Sequence, residues 1–208
     1  MRIGLFGGSF NPPHEGHRLA ALVAMRRLRL DRVWWLVTPG NPLKDGAELR
    51  PLAERMAAAR RIANHPRIVV TGVEAALGTR RTFDVLGWLR RRCPGVAFVW
   101  IMGADNLGGF HRWERWRAIA DLAPIAVVDR PGATLGSKRA PAALRLAGAR
   151  VPERLAAVVP RLAPPAWVFL HGPRSALSST ALRAARKEVN GRKAKPASRE
   201  LKNGRFRH

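Results

Sequence analysis

Two histidines three residues apart, His14 and His17, follow directly on a run of small and turn-forming residues, Gly7-Gly8-Ser9-Phe10-Asn11-Pro12-Pro13. In the first turn of a helix, side chains three apart share a face, so the two imidazoles are expected side by side. Paired imidazoles can ligate a metal or donate hydrogen bonds to an anion. A metal pair needs a third Cys, His or carboxylate at a suitable spacing, and none is placed to complete it. The anion reading has separate support. Gly7-Gly8 let backbone amides approach a ligand, and a helix opening at about Glu15 or Gly16 points its partly positive N-terminus at the same place. Gly16, between the histidines, leaves room for a ligand or a neighbouring backbone. The chemistry implied is a phosphate clamp. The glycine spacing fits neither the dinucleotide-binding fingerprint nor a Walker loop, which would need Gly-Lys-Ser/Thr. No Ser/His/Asp or Cys/His arrangement suggests a covalent nucleophile.

The elements that must hold this clamp alternate regularly. Short apolar runs at Arg2–Phe6, Arg32–Val37, Arg67–Thr71, Val96–Met102, Pro124–Val128 and Ala166–Leu170 read as strands. Most are continuously apolar rather than alternating, as expected of strands covered on both faces. Helical patterns lie between them at about Gly16–Leu28, Leu52–Asn64, Phe83–Arg92 and Glu114–Asp121, with another at Ser179–Val189 after the last strand. Pro51 suits a first-turn position, and Cys93-Pro94-Gly95 is a stop signal. The fold class expected is α/β, a doubly wound parallel sheet with right-handed crossovers. Ligands then sit beyond the carboxyl ends of the strands, at a switch point. The histidine segment leaves the first strand at such an end.

Composition bounds the rest. The chain has 208 residues, 47% hydrophobic and 25% charged, which excludes wholesale disorder and suits one domain with an appendage. A lone cysteine, Cys93, allows no internal disulfide, and no apolar run approaches the roughly 18 residues of a spanning helix. With no signal-peptide layout, the expected setting is soluble, reduced and cytoplasmic. Lys+Arg 38 against Asp+Glu 14 gives a net charge of +24. Such a charge attracts anionic partners, yet an arginine-rich composition spread over solvated faces accounts for it equally. From Arg183 to His208 ten Lys/Arg stand against two Glu. That segment is expected to fray beyond about Asn190, and it lacks the interleaved aromatics of a nucleic-acid stacking platform.

Gly-Gly-Ser-Phe-Asn-Pro-Pro-His-Glu-Gly-His resembles the GGxFxPxHxGH signature of the nucleotidyltransferase superfamily. Leu177-Ser178-Ser179-Thr180-Ala181-Leu182-Arg183 is similar to that superfamily's second motif, (I/L)SSTxxR. Three further stretches resemble bacterial nicotinate-nucleotide adenylyltransferases in particular. They are Gly103-Ala104-Asp105-Asn106-Leu107 with Phe110-His111-Arg112-Trp113-Glu114-Arg115-Trp116, then Arg81-Thr82-Phe83-Asp84-Val85-Leu86, and Pro39-Gly40-Asn41-Pro42-Leu43-Lys44. The resemblance runs from about Met1 to Arg186. Asn11, Leu43 and Val85 stand where the family commonly has Asp, His and Thr. Leu43 removes one phosphate donor from its loop. Arg130-Pro131-Gly132 also resembles a family element, though a structural turn explains it as well.

The resemblance implies a Rossmann-like nucleotidyltransferase fold over 1–189, ending in the C-terminal helix, and composition leaves 190–208 as a basic, flexible tail. The resemblance also implies transfer of AMP from ATP to nicotinate mononucleotide, releasing pyrophosphate, in NAD biosynthesis. His14 and His17 would be the catalytic pair on the α- and β-phosphates. Gly7, Gly8, Ser9, Phe10, Gly103, Asp105, Ser178, Ser179, Thr180 and Arg183 would complete the ATP site. Ser9, Lys44, Thr82, Asp105 and Trp113 would hold the mononucleotide, with Trp113 stacked on the pyridine ring and Thr82 with its backbone on the carboxylate. Three structural alternatives stand beside these roles: Asp105 as a helix N-cap, Ser178 and Ser179 as plain N-caps of the last helix, and Trp113 or Trp116 as core. Mg2+ is expected on the ATP phosphates, with no metal site built from protein side chains. Partners are ATP and the mononucleotide, with no membrane. A homo-oligomer is compatible with the sequence, which leaves that state open. The rival readings are a sister enzyme, a pantetheine-phosphate adenylyltransferase or a cytidylyltransferase, and a basic nucleic-acid-binding protein.

Overall fold

The computed structural model describes residues 1–40, 49–129 and 139–172. In chain order the main elements are β1 (Arg2–Gly8), α1 (Glu15–Arg27), β2 (Arg32–Val37), α2 (Leu52–Ala63), β3 (Ile68–Thr71), α3 (Val73–Ala76) and α4 (Thr82–Arg92). They continue with β4 (Ala97–Gly103), α5 (Ala104–Phe110), α6 (Trp116–Leu122), β5 (Ile125–Val128), α7 (Pro141–Arg145), β6 (Arg150–Val151) and β7 (Trp167–Leu170). A 3-10 helix over Glu153–Arg161 joins the last two strands.

The strands form one seven-stranded sheet in the order β3-β2-β1-β4-β5-β7-β6, and every pairing is parallel. The chain winds outward from β1 through β2 to β3, then returns across the sheet to β4 on the other side of β1. The switch point therefore lies between the exits of β1 and β4, where the doubly wound architecture places a ligand crevice. Six strands fall where the apolar runs predict them, displaced by at most two residues at either end. The two-residue β6 and the short α3, α5 and α7 have no counterpart in the sequence pattern.

Both faces of the sheet are buried. Ile3 and Leu5 of β1, Trp100 and Met102 of β4, and Leu86 and Phe110 belong to one apolar layer. Phe6, Trp35, Val99 and Ile101 point the other way, into a layer with Ala20, Ala21 and Ala24 of α1. Alternate residues of one strand thus feed opposite cores, which is why the strands read as unbroken apolar runs. Each fully buried Leu, Ile, Val or Phe contributes roughly 1.5–3 kcal/mol relative to exposure. Two cores of this kind make the sheet's rim a rigid platform. No helix among the described residues is long and apolar enough to cross a membrane.

Candidate active site

β1 runs as far as Gly8, whose carbonyl accepts from the Thr38 N–H at 3.0 Å, so the exits of β1 and β2 are tied together. The two glycines have different reasons to be there. A Cβ on Gly7 would lie 2.6 Å from Trp100 Cη2, so Gly7 is the hollow into which the buried indole of β4 fits. Among the described residues, a Cβ on Gly8 would first meet the Phe10 ring at 3.4 Å, an ordinary contact. Close approach of backbone to a ligand is therefore an argument for Gly8, and packing is the argument for Gly7. Phe10 takes a left-handed backbone, φ 45°, a conformation that costs a bulky residue about 1–3 kcal/mol. Its buried ring offsets this by stacking on Trp35 at 4.9 Å and 17° and by meeting Phe6 edge-on at 6.0 Å. With the ring in the core, Phe10 faces the rim through its backbone.

His14 is the N-cap of α1, with φ −154° and ψ 167°, and His17 is its N3 residue. The Gly16 N–H donates to His14 Nδ1 at 3.1 Å, and the His14 N–H donates to His17 Nδ1 at 3.2 Å. The two rings form a reciprocal capping box in which imidazoles replace the usual hydroxyl and carboxamide. Their centroids are 3.9 Å apart. This geometry assigns the tautomer. A ring nitrogen that accepts a backbone N–H carries no proton, so each neutral ring holds its proton on Nε2. Both histidines consequently present an Nε2–H donor while their Nδ1 atoms hold the helix start. The Phe10 ring, 4.8 Å from His17, fixes the second imidazole from below.

The β4 exit supplies Gly103 and Asp105. Gly103 is the N-cap of α5 and Asp105 lies in its first turn, exposed, so the N-cap alternative for Asp105 does not hold. Trp113 is half-buried, edge-on to Trp100 at 6.2 Å and to Phe110 at 5.3 Å. Trp100 thus links the two places, filling the Gly7 hollow and bracing Trp113. Trp116 packs edge-on to Phe110 at 5.8 Å, beneath the Arg117 guanidinium. Thr82 is the first residue of α4, which has no side-chain cap. An Arg81–Glu114 ion pair of 2.9 Å and the Arg115 guanidinium over the Phe83 ring bring the Thr82 segment beside Trp113. Leu43, Lys44, Arg130-Pro131-Gly132, Ser178, Ser179, Thr180, Arg183, the Ser179–Val189 helix and the tail lie outside the described residues.

The family model that matches residues 5–185 is described as cytidylyltransferase-like. A protein of Methylorubrum extorquens, named "Probable nicotinate-nucleotide adenylyltransferase", is 62% identical over 183 residues, covering 88% of this chain and 99% of its own length. The protein of the same name from Brucella abortus is 58% identical, covering 88% and 94%. The chain belongs to the nicotinate-nucleotide adenylyltransferase family. Among solved structures, the Plasmodium falciparum nicotinic acid mononucleotide adenylyltransferase complexed with NaAD superposes with a TM-score of 0.65 at 16% identity, over 88% of this chain and 82% of that one. The complex of that enzyme with APC gives 0.63 at 15%. At such identities the likeness speaks for the fold.

Membership of the adenylyltransferases leaves one residue without a role from the motifs. Arg55, in the first turn of α2, is 2% exposed. Its Nη1 donates to the carbonyls of Ser9 and Thr38, each at 2.7 Å, and its Nε donates to the Arg50 carbonyl at 2.8 Å. Burial pulls its pKa down from the ordinary arginine value. An arginine in an amphipathic helix reads as solvent-facing, and nothing in the spacing of α2 marks this one out. The family departures are easier to place. Val85 is fully buried in the apolar layer, where a threonine hydroxyl would need its own partner. Asn11 is buried beside the histidine turn.

Proposed function

We propose that this chain joins ATP to nicotinate mononucleotide, giving nicotinate adenine dinucleotide and pyrophosphate, as a step of NAD biosynthesis. The observation that carries the reading is the reciprocal capping box of His14 and His17 at the β1 exit, which leaves Nε2 of each ring as its donor. A phosphate oxygen of the mononucleotide attacks the α-phosphorus of ATP in line. The bond from that phosphorus to the bridging oxygen breaks, and pyrophosphate leaves with the electron pair. No protein nucleophile enters, so the protein's contribution is positioning and charge neutralisation. Two neutral imidazoles that donate from fixed rings stabilise charge spreading over the phosphates without reorganising during the step. Their backbone hydrogen bonds hold the orientation before substrate arrives.

Gly8, Ser9 and Phe10 contribute backbone to the phosphate seat, and Gly7 secures the seat by packing. Gly103 and Asp105 stand at the neighbouring exit, where an exposed carboxylate can accept from ribose hydroxyls. Trp113 offers an indole face to the pyridine ring, and the first N–H groups of α4 at Thr82 have no intrahelical partner, which suits a carboxylate. Lys44, Ser178, Ser179, Thr180 and Arg183 complete the reading by resemblance alone. Among the described residues no group of three His, Cys, Asp or Glu is arranged to hold a metal. Mg2+ would arrive as its ATP complex, held by phosphate and water. The lone cysteine accords with a reducing cytoplasm.

The test is pyrophosphate release from ATP, measured with and without the mononucleotide. Release that requires the mononucleotide is expected, with higher kcat/KM for the nicotinate than for the nicotinamide form, because buried donors discriminate against a partner that cannot satisfy them. Release independent of the mononucleotide overturns the reading, and an equal or reversed ratio overturns the acid preference.

A further inference from the structure

Arg55 breaks three ordinary rules at once. It is a guanidinium shielded from water, it occupies the first turn of a helix, where a positive charge opposes the helix dipole, and among the described residues no carboxylate pairs with it. Burying a charge without a counter-charge is costly in real proteins. Among the described residues its partners are carbonyl dipoles, those of Arg50, Ser9 and Thr38. Two of these are significant. Ser9 is the first residue beyond β1, in the turn that leads to His14, and Thr38 is the first residue beyond β2, at the root of the segment that leads to Lys44. The same Nη1 atom bridges both.

We propose that Arg55 is a positioning residue for adenylyl transfer, stapling the β1 and β2 exits together and placing beneath the polyphosphate seat a positive charge that no carboxylate among the described residues pairs. The inference rests on the proposed function, since it needs the β1 exit to be where phosphate binds. A guanidinium suits the task because its planar fork serves several carbonyls from one fixed plane, whereas an ammonium is a single point donor. Without the fork the Ser9 carbonyl loses this tie to α2, and the turn can shift relative to the Thr38 exit. A displacement of about 1 Å in a reacting group can cost roughly a hundredfold in rate. The charge acts separately, through ground-state attraction to the substrate.

The experiment uses the full chain with Arg55→Lys and Arg55→Gln. It reads kcat and the KM for ATP well below each variant's melting point, together with the melting shift on adding ATP. Arg55→Lys keeps the charge and loses the fork. It should drop kcat by about tenfold or more while retaining an ATP-induced melting shift near that of the wild type. Arg55→Gln should show the same fall in kcat with a raised KM for ATP and a smaller melting shift. A merely structural arginine predicts lower melting points with kcat unchanged. Arg55→Lys with kcat within about twofold of the wild type would overturn the inference, whether or not Arg55→Gln folds. Inactivity of the wild type toward ATP and the mononucleotide would instead overturn the proposed function.

Discussion

A histidine whose Nδ1 accepts a backbone N–H has only one nitrogen left for chemistry. His14 and His17 are both in that position, and each depends on the other's place in the turn, because the His14 N–H is the donor to His17. His17→Ala therefore removes two things, an Nε2–H donor and the acceptor for one helix-terminal N–H. The cap is worth about 1 kcal/mol, which for a domain near 200 residues moves the melting point by about 2–4 °C. The donor is worth far more, since loss of one preorganised donor to developing charge costs roughly 10²–10³ in kcat. A folded variant melting a few degrees early and turning over at least a hundredfold slower is the expected outcome; near-normal turnover would remove the clamp. At this scale the sequence was readable where residue type and spacing coincide with a strand end, as in the His14/His17 pair. Arg55 was not readable, because its role lies in which carbonyls it reaches across the fold.

Among the elements, legibility followed burial and length. The six longer strands announce themselves because each must fill two cores, so their apolar runs are unbroken. α5 has no such signal. Ala-Asp-Asn-Leu-Gly-Gly-Phe is a poor helix sequence, and it is helical because Ala104, Leu107 and Phe110 bury on one side. α3, at Val73–Ala76, is too short for any period, yet it carries Glu74, which is 4% exposed. Burial raises the Glu74 pKa, and a hydrogen bond with Thr38 offsets this only partly. One carboxylate oxygen, Oε2, has no hydrogen-bond partner among the described residues. The sign of the consequence is fixed. A carboxyl raised above its unfolded value near 4.5 binds its proton more tightly when folded, so stability is full below that value. It is lost as pH rises through the folded pKa. Melting curves of the wild type and Glu74→Gln between pH 4 and pH 8 should diverge with rising pH, the Gln variant becoming relatively more stable. A difference that stays constant across that interval would mean that Glu74 does not titrate as a buried acid.

For the whole molecule, the question is what a net charge of +24 is for. A nucleotide site needs local positive potential at one rim, and Arg55 together with the α1 terminus supplies it where the substrate phosphates would sit. Most of the remaining charge lies elsewhere, and the part beyond the family match is the most concentrated. The match ends at residue 185, and residues 191–208 hold seven Lys/Arg against one Glu. If the family's chemistry is complete without that segment, a chain ending at Asn190 should keep kcat/KM for both substrates within about twofold of the full chain. The same cut should weaken any association with single-stranded RNA. It should also flatten the salt dependence, because each phosphate neutralised contributes a slope of about −0.7 in log affinity against log salt. The two measurements separate the readings of the charge. A truncated chain that loses transfer would place the segment inside the catalytic unit. One that keeps transfer and an unchanged salt slope would assign RNA attraction to the folded surface rather than to the tail.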